Sequence, residues 1–154
     1  MKTSIRLLVA SLLLLPLTAV AQSPPIVAAA PEVCANIKWN VSFLERYPKA
    51  PAACRGVEVR AGLKYAKFMG KVAKTGASFV EVKMMNVAND PISDIGFEVG
   101  VGGRVTVNDK VEKVSQLKEG DVLTFWVREG VFGVSPTLTD EPMRIIKPEA
   151  GPAK

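Results

Sequence analysis

Beyond residue 56 the chain alternates between apolar and polar positions with a period of two, the signature of half-buried strands. Val57 to Arg60 leads through Ala61-Gly62 into a long segment, Lys64 to Lys74. There Ala66, Phe68, Gly70 and Val72 alternate with Lys67 and Lys71. Thr75 to Ser78 reads as a turn, and Phe79 to Val87 returns with Val80, Val82 and Met84 on one face. Asn89-Asp90-Pro91 turns again. Asp94 to Val99, Arg104 to Asn108 and Val122 to Arg128 follow, with Val131 to Val134 and Met143 to Ile146 as shorter candidates. Gly70, inside the longest strand, marks a bend or bulge where the sheet curls. The pattern predicts a mainly β fold: a small antiparallel barrel or curled sheet of about six strands, with one N-terminal helix docked on it.

That helix is expected over residues 36–47. Asn36 can cap it, Trp39, Phe43 and Tyr47 recur at a spacing of four, and Pro48 stops it. Pro51 is expected to keep the next segment extended. A short helix with an aromatic stripe needs a surface to dock on, and the sheet is the obvious one.

The two ends read differently. Lys2 and Arg6 precede the apolar run Leu7 to Leu17, Pro16 breaks it, and Ala19-Val20-Ala21 forms a small-x-small site. Residues 1–21 are therefore expected to be a secretory signal peptide cleaved after Ala21, too short in its apolar run for a stable membrane span. Residues 22–32, rich in Pro and Ala, read as a leader, residues 33–147 as a single domain, and 148–154 as a loose tail. A periplasmic or secreted location follows. Cys34 and Cys54 are then expected to form a structural disulfide, since they lack the Cys-x-x-Cys spacing of a redox pair.

Composition sharpens the β reading. After residue 21 the chain holds 19 valines against 5 leucines, and valine suits a pleated sheet better than a helix. The formal charge of +5 falls to +3 without the signal segment.

The run Val105-Thr106-Val107-Asn108-Asp109-Lys110, followed by Leu117-Lys118-Glu119-Gly120-Asp121-Val122-Leu123, resembles a pattern in small exported bacterial β-barrel domains of unknown function. The resemblance is strong over about 20 residues. It implies a strand ending in a tight hairpin and a Leu-Lys-x-Gly-Asp turn feeding the next strand, and it implies no activity. In physical terms, Gly120 can take positive φ, Leu117 can plug the barrel end, and Asp121 can bond local backbone. Asp109 stands where the pattern has glycine, and aspartate tolerates the left-handed region.

Candidate chemistry is sparse. The absence of histidine excludes Ser-His-Asp and Cys-His nucleophiles and every His-ligated metal site. Ser115-Gln116-Leu117-Lys118 and Lys74-Thr75-Gly76 imitate penicillin-binding motifs, but in reversed order and in turns rather than on a buried helix. Glu119/Asp121 and Asp140/Glu141 are neighbours along turns and do not face each other across a cleft. Asn86, Asn89, Asp90 and Asp94 lack the spacing of a calcium loop. No metal and no cofactor is expected. Lys64, Lys67, Lys71 and Lys83 with Tyr65 and Phe79 form a weak nucleic-acid pattern, interrupted by Glu81 and Glu98, and export removes the usual target. No nucleic acid is expected as a partner; the lysines read as a solvated face suited to anionic envelope components.

Tyr65, Met69, Phe79, Met85 and Trp126 fall on the face opposite the inferred interior and form a candidate partner surface, unless the helix covers them. The functional expectation is a non-enzymatic binding or accessory protein of the cell envelope, with a protein, glycan or lipid partner. The alternative is a small periplasmic enzyme using carboxylate or lysine chemistry.

Overall fold

A computed structural model of the chain describes residues 33–138 and 141–146. The expected signal peptide, leader and tail lie outside the described residues, as does Asp140 of the Asp140/Glu141 pair.

The chain after residue 56 builds a single antiparallel sheet. Its strands are β1 (Val57–Arg60), β2 (Leu63–Thr75), β3 (Phe79–Met85), β4 (Pro91–Glu98), β5 (Arg104–Val107), β6 (Lys110–Lys113), β7 (Val122–Arg128) and β8 (Ile145–Ile146). They lie in the order β6-β5-β7-β2-β3-β4-β8, with β1 also paired to β2. The long strand β2 is the spine. One edge carries β7 from Tyr65 to Lys71, and the other is divided between β1 and β3.

Two hairpins are closed by two-residue turns in which both central residues take positive φ: Ala61 (+49°) with Gly62 (+78°), and Asn108 (+48°) with Asp109 (+61°). Positive φ at both positions matches the right-handed strand twist, which is why such turns close hairpins tightly. Asp109 thus fills the glycine position of the expected hairpin.

Eight strands replace the expected six or so, and the sheet is not a closed barrel. β6, an edge strand with exposed Lys110 and Lys113, adds to the count. The expected strand Val131 to Val134 is reduced to one bridge, Val134↔Met143, with a second, Trp126↔Ser135, just after it, and β8 keeps only the last two residues of Met143 to Ile146. β4 begins at Pro91 rather than Asp94; proline is tolerated as a first strand residue because no ladder donor is lost there.

The sheet is nonetheless strongly curled. Phe97 on β4 and Phe125 on β7 are three strand spacings apart, about 14 Å on a flat sheet. Their ring centroids lie 5.9 Å apart. Gly70 makes this approach feasible. A Cβ there would meet Val82 Cγ2 at 2.8 Å and Phe125 Cε1 at 3.2 Å. The register shift of β2 falls further on, between Val72 and Lys74, so Gly70 serves close packing and is not the bulge itself.

The helix over 36–47 is corrected to shorter pieces. A 3-10 turn spans Cys34–Asn36, α1 spans Val41–Arg46, and α2 spans Ala50–Ala53. Asn40, not Asn36, caps α1 by accepting from Phe43 N at 3.2 Å. The reason is tertiary. Lys38 N donates to Glu129 Oε1 at 2.8 Å, Gly130 N donates to Lys38 O at 2.9 Å, and Asn40 Nδ2 donates to Gly130 O at 3.1 Å. Those bonds hold 38–40 extended against the turn after β7, where helix propensity would have carried it on. Pro51, expected to be extended, sits in the first turn of α2, where a missing N–H leaves no bond unmade.

The aromatic stripe docks on the sheet, but on its inner face. Trp39 stacks on Phe43 at 6.1 Å and meets Phe68 edge-on at 6.0 Å, while Phe43 and Tyr47 are buried. Phe68 shares its face with Ala66 and Val72, opposite Tyr65 and Met69. The helix therefore caps the core and does not cover the outer face.

The disulfide Cys34–Cys54 is formed, with a Cα–Cα distance of 5.9 Å. Next to it, Arg55 extends the β1 pairing, its N donating to Lys67 O at 2.8 Å. Its guanidinium donates to Asn86 O and to Asn89 Oδ1, both at 2.6 Å. Arg55 so fastens the point where the edge of β2 passes from β1 to β3.

Two outcomes are expected. Gly70→Ala forces Val82 and Phe125 apart, and chemical denaturation should show a loss of about 1–3 kcal/mol, overriding the small gain a strand glycine replacement usually brings. Replacing Cys34 and Cys54 together by serine frees a loop with a sequence separation of 20. The same measurement should show a loss of about 3 kcal/mol, reproduced in the native protein by reductant.

Candidate functional site

The five residues of the expected partner surface are placed as follows. Tyr65 is fully buried, Trp126 and Met85 are buried, and Met69 and Phe79 are half-buried. Met69 and Met85 stand directly opposite each other on β2 and β3. Trp126 lies beside Lys67, and its indole N–H donates to Glu58 Oε1 at 3.1 Å. Phe79 stands apart at the far end of β3, under the Lys74 ammonium at 5.7 Å from the ring centroid. These side chains are spent on packing and do not merge into one exposed apolar patch.

The more open feature is polar. A cleft of about 480 Å³ is lined by Lys71, Val72 and Ala73 of β2, Lys83 of β3, and Glu119 and Gly120 of the turn entering β7. Its floor follows from strand alternation: Val72 points into the core, so Lys71 is turned outward. Its wall is the Leu-Lys-x-Gly-Asp turn. Leu117 is buried in the core, and Gly120 takes φ +95°. Asp121 accepts from Lys118 N at 2.8 Å through its carboxylate. Gly120 N donates to Val72 O at 2.9 Å and Val72 N donates to Asp121 O at 2.8 Å, which stitches the turn onto β2.

Across the cleft floor Lys71 and Lys83 are directly opposed in the ladder, and both are exposed. Like charges in register repel each other. Lys83 has Asp94 opposite it on its other side, whereas Lys71 has Val122. Lys71 therefore has no acid opposite it in the ladder. Glu119 brings one carboxylate to the rim, so the cleft presents two ammonium groups and one carboxylate. That set can hold an anionic group by hydrogen bonds and charge.

Other oxygen and acid candidates serve structure. Asn86, Asn89 and Asp90 form the β3–β4 turn. Asp90 N donates to Asn86 Oδ1 at 2.9 Å, Asn86 Nδ2 donates to Asp90 Oδ2 at 3.2 Å, and Asn89 accepts from Arg55. Among the described residues no group of three or more Cys, Asp or Glu could hold a metal ion. Nor is any helix there long and apolar enough to cross a membrane.

Sequence reading placed Lys71 and Lys83 on one solvated face but missed their opposition, because register depends on the Thr75–Ser78 turn and on the shift after Val72. Arg55 was missed altogether; no local pattern marks an arginine that acts across 31 positions to Asn86.

No protein-family model, no curated protein and no solved structure matches this chain.

The opposed lysines yield a direct expectation. Lys71→Thr leaves Lys83 facing Asp94 and places a good strand former on an outer face. Urea denaturation should show a gain of about 0.2–1 kcal/mol at low salt, shrinking as ionic strength rises.

Proposed function

We propose that this is an exported, periplasmic, non-enzymatic binding or accessory protein of the cell envelope, whose ligand site is the cleft between Lys71, Lys83 and Glu119. The single observation that carries the reading is the pair of opposed, exposed lysines on the floor of a 480 Å³ cleft. Their mutual repulsion is unfavourable in the empty site and is relieved by an anion. The volume is that of a small-molecule site. The ligand is an envelope component, whether lipid, glycan or protein, that carries a phosphate or carboxylate. A small periplasmic enzyme is the weaker alternative, because a basic or nucleophilic lysine depends on burial and both of these are exposed. The disulfide supports an oxidising compartment.

Calorimetric titration of the purified protein with glycerol 3-phosphate tests the site. Saturable binding is expected, weakening with salt and falling about tenfold or more in the Lys71→Ala/Lys83→Ala double variant. Equal binding by that variant, or none by the native protein, would overturn the site. Export is tested separately, by recovery of the chain in the osmotic-shock fraction with Gln22 at its N-terminus.

A further inference from the structure

The cleft between Lys71, Lys83 and Glu119 holds both signs of charge, and the fold keeps them from neutralising each other. Lys118 to Asp121 is a turn closed by Asp121 N donating to Lys118 O at 3.1 Å, with Gly120 at the position that takes positive φ. Gly120 N donates to Val72 O, so the turn is fixed on β2. The Asp121 carboxylate is occupied by Lys118 N, which leaves Glu119 as the acid that the turn presents to the cleft. Lys71 runs alongside: a Cβ on Gly120 would stand 3.7 Å from Lys71 Cε. Among the described residues, no hydrogen bond and no ion pair within 4.0 Å joins Glu119 to Lys71 or Lys83. All three side chains are exposed.

A ligand complementary to this set carries an anion for the two ammonium groups and a cation for the carboxylate. The lining residues say which of each. Among the described residues no arginine lines the cleft, so it lacks the planar fork that matches a carboxylate. Two lysines opposed across a ladder are instead point donors, able to reach different oxygens of a tetrahedral phosphate. Nor does an aromatic ring line it, and aromatic faces are what recognise a quaternary ammonium. A carboxylate such as Glu119 accepts from an N–H, which a primary ammonium supplies. The volume of about 480 Å³ far exceeds the need of a bare anion, one water taking about 30 Å³. We propose that the cleft binds a phosphate ester of a small primary amino alcohol, its phosphate accepting from Lys71 and Lys83 and its ammonium donating to Glu119. This rests on the anion site proposed above and names its ligand class. A smaller cleft, of about 190 Å³ between Tyr47, Pro48 and Lys49 on one side and Ile92 and Ser93 on the other, has one lysine and no acid, and so lacks this complement.

Calorimetric titration of the full chain with O-phosphoethanolamine, ethyl phosphate and phosphocholine tests the assignment. Attraction to the lysines alone would favour ethyl phosphate, which lacks a compensating positive charge. Native protein should instead bind phosphoethanolamine about tenfold more tightly than either of the others. Glu119→Gln, a change at an exposed turn position, should abolish that preference and bind ethyl phosphate more tightly than native protein does, because a like charge beside the phosphate is gone. Phosphatidylcholine vesicles with and without phosphatidylethanolamine give the source of the ester: added binding to phosphatidylethanolamine supports a lipid headgroup, and binding of the free ester alone supports a soluble one. Binding of glycerol 3-phosphate with no preference for phosphoethanolamine, or a preference that survives in Glu119→Gln, would overturn this inference and leave the anion site standing. Binding of none of these phosphates would overturn both.

Discussion

The fold depends on how closely strands can approach at Gly70. On the inner face of β2, where a side chain would otherwise stand, there is space only for Val82 and the Phe125 ring. That vacancy lets the sheet bend until Phe97 reaches Phe125 across two intervening strands. An inner face rolled in this way is a concave apolar surface with an open end, and the Trp39-Phe43-Tyr47 stripe closes it. With the helix spent on the inside, the outer face is left to its own side chains. The lysine cleft lies there because nothing was available to cover it.

A curled open sheet also has a weak line, where the edge of β2 changes partner from β1 to β3. No strand runs across that junction. Arg55 supplies the tie, joining the start of β1 to the β3–β4 turn through Asn86 and Asn89. Its backbone is anchored in turn by the disulfide at Cys54. The covalent link and the guanidinium act in series: one closes the two ends of the helical segment on each other next to the start of β1, the other holds that start to the next hairpin. Short helices of six and four residues could not persist alone, so this anchorage matters more than their propensity.

The two clefts differ in physical character. The larger one, about 480 Å³, is built on like charges opposed in a ladder, so its electrostatics weaken as salt rises. The smaller one, between the helical segment and β4, rests on the buried Tyr47 and has Pro48 and Ile92 as apolar walls.

Much of this was legible in the residues. Period-two alternation from Val57 to Arg128, the valine excess, the two-residue turns at Ala61-Gly62 and Asn108-Asp109, the Gly120 turn and the pairing of Cys34 with Cys54 are local matters of sterics, φ preference and cysteine count. They hold whatever the rest of the chain does. Tertiary contacts decided the remainder. The helix begins at Val41 because the turn after β7 captures Lys38 and Asn40. Val131 to Val134 forms no strand and makes one bridge, Val134↔Met143. Tyr65 and Trp126 on the outer face are buried by packing that no period reveals. The opposition of Lys71 with Lys83, and the meeting of Tyr47 with Ser93, belong to register and docking, which bring together residues whose local patterns hold no information about one another.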